Sequence, residues 1–200
     1  MELNEREWAK SLANRLSAEL AGKAQPDSII TVEDGRKLPY TCQIYEYSSD
    51  DIPTPEVSKY ETDILICDTR KDGFWVPRVV IESKLAITTH DALTYSAKAA
   101  THKHVHPYLR YGILVGGQRN QALPGRLVKH GVDFDFMLSW KGQEPSGGEW
   151  RHFCEILGLE VEASRNLEDV LTTSRSPSHR RYQSLHRKLI LELAETEIKP

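Results

Sequence analysis

The stretch Val79-Val80-Ile81-Glu82-Ser83-Lys84-Leu85-Ala86 is made of strong strand formers, yet it carries a glutamate and a lysine at its centre. A strand's period of two puts Val80, Glu82 and Lys84 on one face and Val79, Ile81, Ser83 and Leu85 on the other. Upstream, Glu61 to Cys67 is also strand-like, and Asp72-Gly73 between the two segments is a turn-forming pair. With Asp72 and Gly73 at the centre of the turn, Asp63 falls directly opposite Glu82. Directly opposed side chains on one face have Cβ atoms roughly 4.5 to 5.5 Å apart, so two carboxylates converge with an ammonium one step along. Pro77 disturbs the ladder near the turn; a slip of two residues keeps the same face toward the same side, and a slip of one would not.

Two opposed carboxylates repel unless something positive lies between them. A divalent cation supplies that charge, and hard carboxylate oxygens suit magnesium or manganese better than zinc. Magnesium keeps several waters and readily takes phosphate oxygens, which fits phosphodiester hydrolysis. Lys84 is placed to orient the attacking water or to stabilise developing negative charge. The competing reading is a solvated strand face on which Glu82 and Lys84 are merely exposed. Glu61, two residues from Asp63, shares its face and is a spare ligand candidate.

Asp63, eighteen intervening residues and then Glu82-Ser83-Lys84 resembles the PD-(D/E)XK nuclease superfamily, with its restriction-endonuclease-like fold. The resemblance covers roughly residues 1 to 140 and extends to the order of elements. It implies an α/β domain with a mixed central β-sheet flanked by helices, in the order α-β-β-β-α-β. It further implies a magnesium-dependent endonuclease, with manganese able to substitute, that acts on DNA in restriction, defence or repair. Asp63 and Glu82 are then the metal ligands and Lys84 the catalytic lysine. Members often add a glutamate from the first helix, and the matching candidates are Glu19 and Glu5. The chain departs from the pattern at Thr62, which stands where the family's eponymous proline would be. The rival from another class is a catalytically inactive nucleic-acid-binding or assembly module of the same fold.

Outward from this centre, Glu2 to Leu20 contains no proline or glycine, and Trp8, Ala9, Leu12, Ala13, Leu16 and Leu20 share one helical arc. Glu19 and Glu5 project inside that arc. Strand-like runs at Ser28–Glu33 and Tyr40–Tyr47, joined by Asp34-Gly35, predict a first hairpin, followed by a proline-bearing loop through Pro53 and Pro55. Thr88 with Asp91 is a capping-box pattern that opens a helix to about Val105. Tyr111 to Gly117 is continuously apolar, as in a strand covered on both faces, so strand, helix and buried strand form a βαβ unit. Gly116-Gly117 reads as a close-packed strand end. Val132 to Trp140 alternates as a further strand. Short helical stretches are predicted around 150–157 and 166–171, and a last helix from Ser178 with Tyr182, Leu185, Leu189 and Leu193 along one stripe. Residues 1–140 therefore read as the catalytic core and 141–200 as a C-terminal helical extension of the same domain.

Composition bounds the alternatives. The 200 residues are 39% hydrophobic and 28% charged, which fits a globular chain and argues against disorder. A net charge of -3 is not the signature of a protein that coats nucleic acid by charge alone, so such a role needs a local basic surface or a bound metal. Arg180, Arg181 and Arg187 lie in one such run, and Lys98 and Lys103 with the neighbouring histidines are candidates for a phosphate-facing surface. Cys42, Cys67 and Cys154 have no metal-binding spacing. His102, His104 and His106 fit a solvated helix end better than a zinc site. No long charge-free stretch and no leader pattern is apparent, so a cytoplasmic protein without a membrane partner is expected. Cutting both strands of a duplex needs two sites, so a homodimer with the final helix at or near its interface is expected.

Overall fold

The computed structural model describes residues 3–21, 27–118, 121–173, 183–185 and 189–192. Helix α1 (Glu5–Leu20) opens on a complete capping box between Asn4 and Glu7, and it buries Trp8, Ala9, Leu12, Ala13, Leu16 and Leu20. This is the arc that the periodicity marks out. After β1 (Ser28–Asp34) the chain turns at Gly35, whose φ of +68° is open to glycine at little cost. The turn does not make the expected hairpin. Instead β1 pairs antiparallel with β4 (Ile64–Arg70), while β2 (Lys37–Tyr47) pairs with β3 (Pro53–Glu61) in a separate two-stranded sheet.

Burial explains the choice of partner. Beside β4, the residues Ile30 and Val32 join the apolar layer under α1, which a ribbon with β2 alone could not provide. The segment around Pro53 and Pro55 reads as loop by composition, but both strands of a two-stranded ribbon are edges, where proline is tolerated.

Strand β5 (Trp75–Lys84) pairs antiparallel with β4, one residue off the expected register beside the turn, where Cys67 faces Pro77 and Thr69 faces Trp75, and in the expected register farther along, with Ile64 opposite Ile81 and Leu65 opposite Val80. An irregularity between Ile66 and Cys67 absorbs Pro77. Helix α2 (Thr89–Val105) starts on the Thr88/Asp91 capping box and leads into β6 (Arg110–Val115), which runs parallel to β5. A short helix α3 (Gly125–His130) was not foreseen. Strand β7 (Phe136–Ser139), parallel to β6, is shorter than the alternating run from Val132. The two short helices expected beyond Trp140 are one continuous helix, α4 (Gly147–Thr173).

The sheet order is β1-β4-β5-β6-β7, antiparallel on one side of β5 and parallel on the other. Without the β2–β3 ribbon, the elements up to β6 run α-β-β-β-α-β. Helices cover both faces, giving three layers. Helices α1 and α4 pack on Ile64, Ile66, Val79, Ile81 and Leu114. On the opposite face, α2 and α3 pack on Leu65, Val80, Tyr111, Ile113 and Val115.

The core is not complete at Trp140. The rings of Trp140, Trp150 and Phe153 pack together, and Leu157 and Val161 extend the same cluster, so α4 is part of the core rather than an appendage. Farther along α4, Arg165 and the buried Arg78 both bind Asp68, and Arg78 also meets Glu168 at 2.6 Å. Residues 183–185 and 189–192 are not helical, and Leu185 and Leu189 are exposed rather than set in a helical stripe. Tyr182, Leu193, Arg180, Arg181 and Arg187 lie outside the described residues. Among the described residues no helix is long and apolar enough to cross a membrane.

Candidate functional site

Asp63 sits just before β4, and the observed register carries it to the end of β5 that holds Glu82, Ser83 and Lys84. Its Oδ2 accepts the Ser83 backbone N–H at 2.8 Å and the Ser83 hydroxyl at 3.2 Å. The preceding Thr62 is fully buried, and both its backbone N–H and its hydroxyl donate to the Arg36 carbonyl, at 3.0 and 2.8 Å. A proline here has no N–H to donate, which gives a structural reason for the residue at this position.

Lys84 is the hub of the site. Its ammonium lies 3.1 Å from Glu5 Oε2, 3.9 Å from Asp63 Oδ2 and 4.6 Å from the centre of the Tyr95 ring, with the side chain only 12% exposed. Glu5 uses its other oxygen to accept the Leu85 backbone N–H at 3.1 Å, so the first turn of α1 is tied to the end of β5. Burial works against the Lys84 ammonium, but the Tyr95 hydroxyl, Asp63 and Glu5 outweigh it and hold the pKa above the ordinary lysine value. These partners favour Lys84 as a cation and a donor.

Of the two first-helix candidates, Glu5 reaches the site and Glu19 does not. They stand at opposite ends of a helix that rises 1.5 Å per residue, roughly 21 Å apart along its axis, and Glu19 is exposed. Facing the core on a helical wheel does not say at which end of the helix a site lies.

Glu82 is 1% exposed and belongs to a different set of partners. Its Oε1 accepts Lys98 Nζ at 2.7 Å and the Tyr111 hydroxyl. Burial pushes its carboxyl above the usual carboxylate range; Lys98 opposes the rise and the charge of Asp63 adds to it. Burial and the Glu82 charge push the Tyr111 hydroxyl well above its ordinary value, so it remains a donor. The two carboxylates therefore share a neighbourhood, but each has its own partner, and this relieves the repulsion expected of an opposed pair.

The other expected contributors fall as follows. Lys98 is inside the site on Glu82, and Lys103 donates to the Asp133 carbonyl and lies 3.5 Å from Asp135, so neither forms an outward phosphate-facing surface. Helix α2 lies over the sheet, which covers these side chains. Glu61 contributes its backbone carbonyl, which accepts Lys98 Nζ at 2.7 Å.

The histidine cluster is not a solvated helix end as a whole: His102 is fully buried and stacks on Tyr111 with ring centres 5.6 Å apart. Its Nδ1 pairs with the Pro39 carbonyl at 2.9 Å, and burial pulls its pKa down to about 4. Tyr95, Lys98 and His102 form an i, i+3, i+7 stripe on α2 beside the small core residues Ala92, Ser96 and Ala99. That polar stripe is the sequence signal that could have identified them.

A cleft of about 220 Å³ opens at Asp63 and Lys84, and its lining includes the carboxylates Glu5, Asp34, Glu61 and Asp63 and the cations Arg6 and Lys84. Its balance is acidic, and its donors are carboxylate oxygens without histidine or cysteine. Among the described residues, no group of three or more His, Cys, Asp or Glu side chains is gathered closely enough to hold a metal ion. Magnesium asks for less, commonly one or two carboxylates with water and phosphate completing its shell; Asp63 and Glu5 line the cleft as carboxylates of that kind, while Glu82 is buried and is not part of its lining. No family model matches this chain, and no curated protein is similar enough to count as a relative.

Proposed function

We propose that this chain is a divalent-metal-dependent nuclease that hydrolyses phosphodiester bonds of DNA, with the cleft at the end of β5 as its active site. One observation carries the reading: a mostly buried Lys84 ammonium meets both Glu5 and Asp63 in the lining of an acidic cleft, and the charge of Asp63 is felt by the buried Glu82. An acidic cleft repels a polyanion unless a cation lies between them, which makes bare phosphate recognition a poor alternative.

Asp63 and Glu82 would hold magnesium, or manganese in its place. A bound ion would polarise the phosphoryl group and lower the pKa of a bound water. Lys84 donates to a phosphoryl oxygen or to the attacking water. Glu5 holds Lys84 in place. Ser83 keeps the Asp63 carboxylate facing the end of β5. Cleavage of both strands calls for two copies of the chain related by a twofold axis.

The inactive-module reading has one observation in its favour, since Glu82 is already neutralised by Lys98. The deciding experiment offers labelled duplex DNA, single-stranded DNA and RNA with magnesium or manganese, and uses chelator controls. Cleavage that needs the metal and is lost in both Asp63→Asn and Lys84→Met supports the nuclease. Absence of metal-dependent cleavage on every substrate, or cleavage at the wild-type level by either variant, overturns it.

A further inference from the structure

Lys98 is held more firmly than a surface lysine. Its ammonium donates to the Glu82 carboxylate and to the Glu61 carbonyl, both at 2.7 Å. The rings of Tyr60 and Tyr95 stand on its flanks, each with its centre 5.8 Å from Nζ, and the side chain is 15% exposed. Two oxygens and two aromatic faces make a fitted cation position. Both bonds to Glu82, from Lys98 and from Tyr111, fall on the same oxygen, Oε1.

We propose that Lys98 is the resident counter-cation of Glu82 and holds down the affinity of this site for a divalent ion. The inference rests on the nuclease reading and deepens it. A carboxylate with 1% exposure is tolerated in the fold because an ammonium and a hydroxyl compensate it. An ion that binds Glu82 must share the carboxylate with that ammonium, and the repulsion it meets is twice that between two single charges at the same distance. Lys98 therefore keeps the site intact without metal and sets the threshold for loading.

The test is calorimetric titration of the full chain with manganese at neutral pH, for the wild type, Lys98→Gln, Lys98→Arg and Asp63→Asn. Glutamine can still donate to Glu82 but carries no charge. Lys98→Gln is expected to bind manganese at least about tenfold more tightly than the wild type, about 1.4 kcal/mol. Lys98→Arg should stay near the wild type, and Asp63→Asn should bind much more weakly. Unchanged or weaker binding by Lys98→Gln, with binding still lost in Asp63→Asn, overturns the counter-cation role and leaves the nuclease reading standing. Absence of manganese binding by both the wild type and Lys98→Gln overturns both. If Lys98→Gln is unfolded without metal, its circular dichroism is followed as manganese is added. Recovery of the folded signal supports the proposal, and failure to recover refutes it.

Discussion

Glu5 and Lys84 stand far apart in the chain and meet at 3.1 Å, joining the start of α1 to the end of β5. The contact gives a role to a helix whose other face is simply core. Because Glu5 is 43% exposed on its side chain, the pair is worth little as a stabilising ion bridge. Its value lies in where it holds the lysine.

Glu5→Ala should lower metal-dependent cleavage by about 10- to 100-fold, the usual cost of losing a group that orients a functional side chain. The melting temperature should barely move. Glu19→Ala, at the far end of the same helix, should leave cleavage unchanged. Equal loss of cleavage in the two variants would contradict the assignment of Glu5.

His102 makes the fold sensitive to acid. Folded, its pKa is about 4, whereas the ordinary value is 6.5, so below neutrality the unfolded chain takes up a proton that the folded chain refuses. The stability that follows from neutral His102 is complete above about pH 6.5 and is lost as pH falls toward about 4, by up to about 3 kcal/mol. His102→Gln should flatten this part of the profile. Urea midpoints at about pH 7 and about pH 4.5 check it, and an unchanged slope in the variant would refute the assignment.

Asp68 is the anchor for α4. It is 4% exposed and is bound by both Arg78 and Arg165, which hold its carboxyl below the usual range despite burial. Asp68→Asn should cost about 3 kcal/mol in denaturant unfolding, because the buried Arg78 keeps only Glu168 as a charge partner and Arg165 loses its bidentate carboxylate. Asp72→Asn is the control, since the ion pair of Asp72 with Arg70 is exposed, and its midpoint should stay at the wild-type value.

Gly112 is required by the ring of Phe136 on the neighbouring strand. A Cβ at this position would come within 2.3 Å of that ring, so Gly112→Ala should destabilise by about 1–3 kcal/mol through overpacking. Adding Phe136→Leu should return part of the loss, and a double-mutant cycle measures the coupling. Purely additive effects would show that the ring is not the obstacle.

Local pattern alone determined several features of this protein. The buried arc of α1, the Thr88/Asp91 capping box, the antiparallel pairing of β4 with β5 and the parallel β5–α2–β6 unit follow from side-chain period and turn chemistry within short stretches, while the irregularity between Ile66 and Cys67 set the final β4–β5 register. That register places Asp63 at the end of β5 that carries Glu82 and Lys84. The tertiary structure decided what depends on distant partners. The pairing of β1 with β4 follows from which apolar face lies under α1, and the proline-bearing β3 became a strand because a two-stranded ribbon has only edges. Helix α4 entered the core because its apolar face meets Trp140 and the sheet. In the site, the choice of Glu5 over Glu19 depended on which end of α1 lies over β5. The partners of Glu82 depended on α2 crossing the sheet so that Lys98 and Tyr111 reach one oxygen from different elements. No periodicity within a single element encodes such a meeting, because its geometry is set by the packing of layers.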